Sequence, residues 1–243
     1  MSTIALGDER ASMGKTFDFR SATDFRLESD FVSELCRALP QWIDCPSCNC
    51  RLAREVSVGG TKADVAIFQG LTANNVLPRS LSARESAILA SLRVLGDTRV
   101  DVLERRCGFA QGALRDGKLN RLVRSGLVVR GPGGRISRVA AALTKCLIAI
   151  EAKLLKWRNA IRQALDYRSY ADQAYVALPA AQARVALENR EEFSRNGVGL
   201  LLLQGGRIRI AIQAPYSESH DWRREFILSR IVHRPPYDPT VTG

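Results

Sequence analysis

Two short segments carry side chains whose chemistry fits the hydrolysis of an anion: Asp64 in GTKADVAIF, and Glu151-Ala152-Lys153 in CLIAIEAKLL. Side chains alternate along a strand, so Glu151 and Lys153 share one face while Ala152 points to the other. Placing a Glu and a Lys among Leu147, Ile148, Ala149 and Ile150 is unfavourable unless each is paired with the other, a metal or a ligand. Asp64 follows a glycine turn at the start of its own strand. If the two strands are neighbours, the Asp64 and Glu151 carboxylates offer hard oxygen ligands suited to Mg²⁺ or Mn²⁺. Lys153 then sets a cation beside an attacking water or a scissile phosphate. The plainer alternative makes Glu151 and Lys153 a solvated pair at a sheet edge.

The elements that must position these residues are legible in outline. Phe31, Leu35 and Leu39 recur at helical spacing within 24–39, with Ser29 or Asp30 as cap and Pro40 just beyond. Glu34 rides on this helix. Residues 52–58 and 63–68 read as strands joined by a hairpin at Gly59-Gly60. After 146–155 as a strand come a helix over 155–173, a strand over 174–179 and a helix over 180–196. Two strands around Gly205-Gly206 and a helix over 220–232 follow. The expected fold class is α/β (α+β), a mixed central sheet flanked by helices. Between its halves lie three close helices (82–96, 101–108, 110–126) and two strand-like runs around Gly131-Pro132-Gly133-Gly134, the order of a winged helix-turn-helix. The chain thus divides into a flexible segment 1–22, a discontinuous α/β domain over 23–78 and 139–243, and an inserted winged-helix domain over 79–138.

With those elements in place, the sequence resembles the PD-(D/E)XK, or restriction-endonuclease-like, nuclease superfamily. The matching residues are Glu34 in FVSELCRAL, Asp64 in GTKADVAIF, and Glu151 and Lys153 in IAIEAK. Gln163 and Tyr167 in RQALDY match the Gln-x-x-x-Tyr element of the RecB and lambda-exonuclease-like branch, and at i and i+4 they share a helix face. The resemblance covers about 28–70 and 144–215. Ala63 stands where the family has a proline before the Asp, and Glu55 competes with Glu34 for the early Glu. It implies metal-dependent phosphodiester hydrolysis of DNA, with Asp64, Glu151 and the Ala152 carbonyl holding Mg²⁺ and Lys153 positioning or activating water. A catalytically inactive DNA-binding protein or transcriptional regulator, or a complex subunit, that keeps the fold as a scaffold is the alternative.

Charge points the same way. The 243 residues hold 36 Lys+Arg against 25 Asp+Glu, a net +11, and the pI is near 9.8; a polyanionic partner is expected. Residues 79–138 alone hold 13 Lys+Arg against 5 Asp+Glu, so +8 of that charge lies in the predicted insert. Its third helix, over 110–125, is expected to enter the major groove of double-stranded DNA with Gln111, Arg115, Lys118, Asn120, Arg121 and Arg124. Arg130, Arg135 and Arg138 on the wing are expected to reach phosphates or the minor groove. Such modules also bind proteins, and an arginine run is often a solvated face. A homodimer or a larger complex stays open.

Other features exclude more than they assign. No run approaches the roughly 18 apolar residues of a membrane span, and Asp8, Glu9 and Arg10 interrupt what a secretion signal needs, so a cytoplasmic protein with no membrane partner is expected. Cys45, Cys48 and Cys50 lack a second Cys pair or a nearby His, leaving Cys36 as the close fourth thiol, so zinc is not expected there. His220 and His233 are the chain's two histidines, which disfavours a histidine base. The Gly-Gly pairs read as turns rather than phosphate-binding loops.

Overall fold

The computed structural model describes residues 25–42, 49–71, 80–114, 117–139 and 146–232. The predicted flexible segment 1–22, and with it Cys45, Cys48 and Arg115, lies outside the described residues.

The chain opens with helix α1 (Glu28–Trp42) and a long hairpin, β1 (Asn49–Val58) and β2 (Thr61–Leu71). Val58 pairs with Thr61, leaving Gly59 and Gly60 as a two-residue turn whose φ values of 57° and 86° suit glycine. Later come β6 (Cys146–Ala152), α5 (Trp157–Tyr167), β7 (Gln173–Pro179), α6 (Arg184–Glu188), α7 (Arg190–Asn196), β8 (Gly199–Gln204), β9 (Arg207–Ile212) and α8 (Trp222–Val232). These strands form one mixed sheet ordered β1-β2-β6-β7-β8-β9. β6, β7 and β8 run parallel, and the β1-β2-β6 and β8-β9 pairs are antiparallel.

Every residue of β6 and β7 is buried, as parallel strands covered on both faces require. Leu147 and Ala149 face α5, α7 and α8 in one core, and Ile148, Ile150 and Ala152 face α1 in the other. The alternation breaks once in the hairpin. Ala53 and Val56 share a face, as do Ala63 and Ala66, a spacing of three in each strand. Glu55 lies between the first pair with φ 52°, a left-handed conformation rare outside glycine. It turns the strand over beside Asp64.

Between the neighbouring strands β2 and β6 the chain forms a separate helical block. It consists of α2 (Ala83–Leu95), β3 (Thr98–Arg99), α3 (Val100–Arg106), α4 (Lys118–Arg124), β4 (Val128–Arg130) and β5 (Arg135–Arg138). Its strands make their own sheet, ordered β3-β5-β4, over a core of Leu81, Ile88, Leu89, Leu92, Leu103, Leu119 and Leu122. Ser82 and Glu85 close a reciprocal capping box on α2. The block is fastened to the sheet through α8: Arg138 donates to both oxygens of buried Glu225 at 2.9 and 3.2 Å, and Ser229 Oγ accepts from the Leu81 N–H at 2.9 Å.

Beside the helix over 155–173, which ends six residues early at Tyr167, three helices differ from their sequence pattern. α1 runs through Pro40 to Trp42, where few intrahelical bonds remain to lose and Trp42 packs edge-on against Tyr175 at 5.9 Å. The helix over 110–126 shrinks to α4, because Gly112 takes φ 84° and Glu104 holds the turn by accepting from the Gly112 and Leu114 N–H groups at 2.9 and 3.0 Å. The helix over 180–196 breaks at Asn189 into α6 and α7.

Candidate active site

The charged residues converge at the carboxyl end of β6, the usual place for a site in parallel α/β sheets. The β2–β6 ladder ends at Val65 opposite Ile150, and one residue further the same register sets Asp64 opposite Glu151. There the Asp64 carboxylate replaces the ladder: its Oδ2 accepts from the Ala152 N–H at 2.9 Å. Glu151 is 1% exposed. Its Oε1 lies 3.0 Å from Lys153 Nζ, and the same ammonium reaches Glu28 Oε2 at 3.2 Å. Glu151 Oε2 meets the Tyr167 hydroxyl at 2.5 Å.

Each group reaches the cluster from a different element. Tyr167 ends α5, which packs behind β6 so that Trp157, Ala160, Ile161, Ala164 and Tyr167 form its buried stripe. Glu28 opens α1 on the other face of the sheet, leaving Lys153 to span the sheet's end from Glu151 to Glu28.

The electrostatics follow from crowding acids around one cation. Burial raises the Asp64 pKa against the lowering pull of the Ala152 N–H and Lys153. Burial and the nearby Asp64 charge raise that of Glu151, against Tyr167 and Lys153. For Lys153, burial acts downward, but Glu151, Asp64 and Glu28 outweigh it and the pKa is raised. Lys153 is therefore an ammonium, a hydrogen-bond donor and point charge rather than a base. The Tyr167 hydroxyl has one proton and two acceptors within reach, Glu151 Oε2 and the Lys62 carbonyl oxygen at 2.6 Å.

The structure thus joins Asp64, Glu151, Ala152, Lys153 and Tyr167. Gln163 is exposed on α5 and makes no hydrogen bond to them. Glu34 is not in the cluster either: it pairs with Arg37 at 2.6 Å and faces the β8–β9 turn at Gly206. Glu55 pairs with exposed Lys62 at 2.9 Å. The helix-borne acid at the site is Glu28, six residues before Glu34, which sequence reasoning passed over because an acid in a first turn is also what a helix dipole favours.

The basic residues of the block are distributed less uniformly than its charge implies. Lys118, Asn120, Arg121 and Arg124 lie on α4, with Arg124 exposed. Gln111 is exposed too, in the turn before the helix rather than on it. Arg121 reaches buried Glu85 at 3.4 Å. Arg130 donates to Asn120 Oδ1 at 2.6 Å, tying a predicted phosphate contact to a predicted base reader. Arg135 is held by the Asp97 carboxylate and carbonyl at 2.8 and 2.7 Å. Arg138 is turned inward onto Glu225, with 14% of its side chain exposed.

Comparison with known proteins adds no assignment. No family model matches the chain, and no curated protein matches it. A solved structure of a protein of unknown function from Silicibacter pomeroyi overlaps 46% of this chain and 77% of its own, at 18% identity and a TM-score of 0.28, too slight a likeness to carry an argument. No described helix is long and apolar enough to cross a membrane.

Proposed function

We propose that this protein is a metal-dependent nuclease that hydrolyses DNA phosphodiester bonds at the Asp64–Glu151–Lys153 cluster. The observation that carries the reading is the binding of Asp64 to the Ala152 N–H beside a Glu151–Lys153 ion pair of 3.0 Å. It joins two acids and a lysine from segments 87 residues apart in sequence, 64 to 151. The helix, hairpin, strand, helix and strand run from α1 to β7, with Asp on β2 and Glu-x-Lys on β6, supports a restriction-endonuclease-like core. The α2-to-β5 order with its three-stranded sheet supports a winged helix-turn-helix that holds duplex DNA.

The donor set fits Mg²⁺ or Mn²⁺. Among the described residues no three or more His, Cys, Asp and Glu side chains are grouped to hold a metal. Asp64, Glu151 and the Ala152 carbonyl are instead hard oxygen donors that would leave several positions to water and substrate, the habit of Mg²⁺. When bound, the ion supplies Lewis-acid polarisation of the phosphate and a more acidic water. Lys153 offsets the charge of the phosphate group, Tyr167 fixes the Glu151 carboxyl, and Glu28 holds Lys153 from the other side. In the net reaction water adds to phosphorus, one P–O ester bond breaks, and the leaving alkoxide takes up a proton.

A second reading, a DNA-binding protein without catalysis, draws on the Lys153 ammonium being already engaged by both Glu151 and Glu28. Plasmid digestion in Mg²⁺ against EDTA, beside Lys153→Ala and Asp64→Asn, separates the two. Nicking that needs Mg²⁺ and disappears in both variants is expected; cleavage that survives both substitutions refutes the site.

A further inference from the structure

Among the described residues, Glu55 is the one non-glycine residue with a left-handed backbone, φ 52°, a conformation that a residue with a Cβ holds only against strain. It stands across from Asp64: on either side of it Arg54 pairs with Val65 and Val56 with Ala63. Its side chain gives no reason for the strain. The carboxylate is 68% exposed and pairs with Lys62, itself about half exposed, a contact of little energetic weight. The backbone does more. From Phe68 back to Val65 the side chains of β2 alternate, Val65 and Ile67 toward α1 and Ala66 and Phe68 toward the opposite core. Regular alternation would next bring Ala63 to the α1 side and, since Val65 pairs with Ile150, set it opposite Ala152 in the ladder. Ala63 instead lies in the opposite core with Val56, and the ladder stops at Val65. Two groups on the turned stretch then take partners outside their own hairpin. The Asp64 carboxylate accepts from the Ala152 N–H at 2.9 Å, and the Lys62 carbonyl accepts from the Tyr167 hydroxyl at 2.6 Å.

We propose that Glu55 is a positioning residue for the candidate site, and that its left-handed backbone rather than its carboxylate turns the hairpin over to set Asp64 against the Ala152 N–H and the Lys62 carbonyl against Tyr167. The inference rests on the proposed function and adds to it the residue that puts Asp64 in place. One strained residue on β1 thereby reaches both acids of the cluster: Asp64 from across the hairpin, and Glu151 through the Tyr167 hydroxyl that lies against its Oε2. An extended backbone at position 55 would return the Ala152 N–H to the backbone ladder and release the Asp64 carboxylate from it. Strain that is confined to one exposed residue beside a charged cluster is the form in which a fold fixes a side chain that regular strand geometry would not hold.

The test uses the full-length protein and substitutions that separate backbone from side chain. Glu55→Gly takes the left-handed conformation freely, and Glu55→Gln keeps the side chain's size without its charge. Both are expected to cleave DNA in Mg²⁺ as wild type does. Glu55→Val, β-branched and disposed to extended backbone, is expected to lower kcat about tenfold with KM unchanged, the mark of a misplaced Asp64 rather than of weaker DNA binding. Crystal structures of the variants without metal read the displacement itself. Asp64 is expected within hydrogen-bond reach of the Ala152 N–H in Glu55→Gly and Glu55→Gln and outside it in Glu55→Val. Glu55→Thr, a second β-branched residue, carries the same expectations if the valine variant does not fold. A loss in Glu55→Gly equal to that in Glu55→Val, or a loss in Glu55→Gln, overturns the positioning role. Asp64 displaced in Glu55→Val, with no Mg²⁺-dependent cleavage by wild type, sinks the hydrolytic reading alone. Wild-type cleavage with Asp64 unmoved in Glu55→Val sinks the positioning role alone.

Discussion

At the end of β6, Asp64, Glu151 and Glu28 crowd around Lys153 in a partly buried cluster, whereas the arginines of the helical block stand mostly in solvent, several in separate pairs such as Arg135 with Asp97 and two, Arg99 and Arg105, sharing Asp101. Burial raises the pKa of both Asp64 and Glu151, so the cluster holds charge at a standing disadvantage that a bound cation would relieve. In the block, Arg135 with Asp97 and Arg130 with Asn120 are exposed pairs of little energetic weight. The contrast separates two uses of charge. In the cluster the groups are joined by direct contacts, so under the proposed function removing one should disable the set; on the block the pairs are separate and, if the block holds DNA as proposed, should add nearly independently through its ion atmosphere.

The largest expected effect tests that interdependence. Lys153→Ala and Asp64→Asn should each lower Mg²⁺-dependent cleavage by about a hundred- to a thousandfold, and the double variant should be little worse than either. Rates that multiply in the double variant would break the comparison, since they would mean independent groups.

Next in size is the joint between the two regions. Glu225→Ala removes the carboxylate that receives Arg138 at 2.9 Å and lies 3.9 Å from Arg93. Losing one partner of a buried pair costs roughly 3 kcal/mol, seen as a lower urea midpoint, and a second transition should appear as the block loosens from α8. An unchanged midpoint would mean that the Glu225 pairs with Arg138 and Arg93 do not fasten the block to α8.

A smaller effect concerns α4. The Lys118→Ala/Arg124→Ala pair should weaken duplex binding and reduce the slope of log affinity against log salt by about 2, roughly one for each phosphate contact. Arg138→Ala should leave that slope unchanged, because its guanidinium is turned inward onto Glu225. A steep change in slope from Arg138→Ala instead would restore it as a phosphate contact.

The smallest prediction returns to the cluster. A carboxyl whose folded pKa is raised stabilises the fold fully only below its ordinary pKa near 4 and loses that contribution as pH rises through the raised value. Asp64→Asn keeps an acceptor for the Ala152 N–H and removes the charge. In EDTA at pH 8 it should be more stable than wild type by about 0.5–1 kcal/mol, discounted for partial exposure, and the advantage should vanish near pH 3.5. Thermal melts at the two pH values measure it.

How much of this was legible in the sequence depended on whether a residue's role was local. Glu151 and Lys153 could be placed because strand alternation is a local rule, and Gly59-Gly60 because its turn needs left-handed backbone. Glu28 was missed because its partner, Lys153, is 125 residues away and its position already had a sufficient local explanation. Arg138 resembled every other basic residue of the predicted wing until α8 supplied a buried acid. The turn at 110–114 looked helical because its apolar spacing is helical; Gly112 and the buried Glu104 carboxylate, which caps its N–H groups, decide otherwise. The face switch at Glu55 had no signal in residue type at all.

The most direct test of the central claim is anomalous diffraction from crystals of the protein soaked in Mn²⁺. The account predicts a peak bound by the Asp64 and Glu151 carboxylates and the Ala152 carbonyl oxygen, and its loss in Asp64→Asn crystals. Mn²⁺ ordered elsewhere on the protein, with none between those two acids, would contradict it.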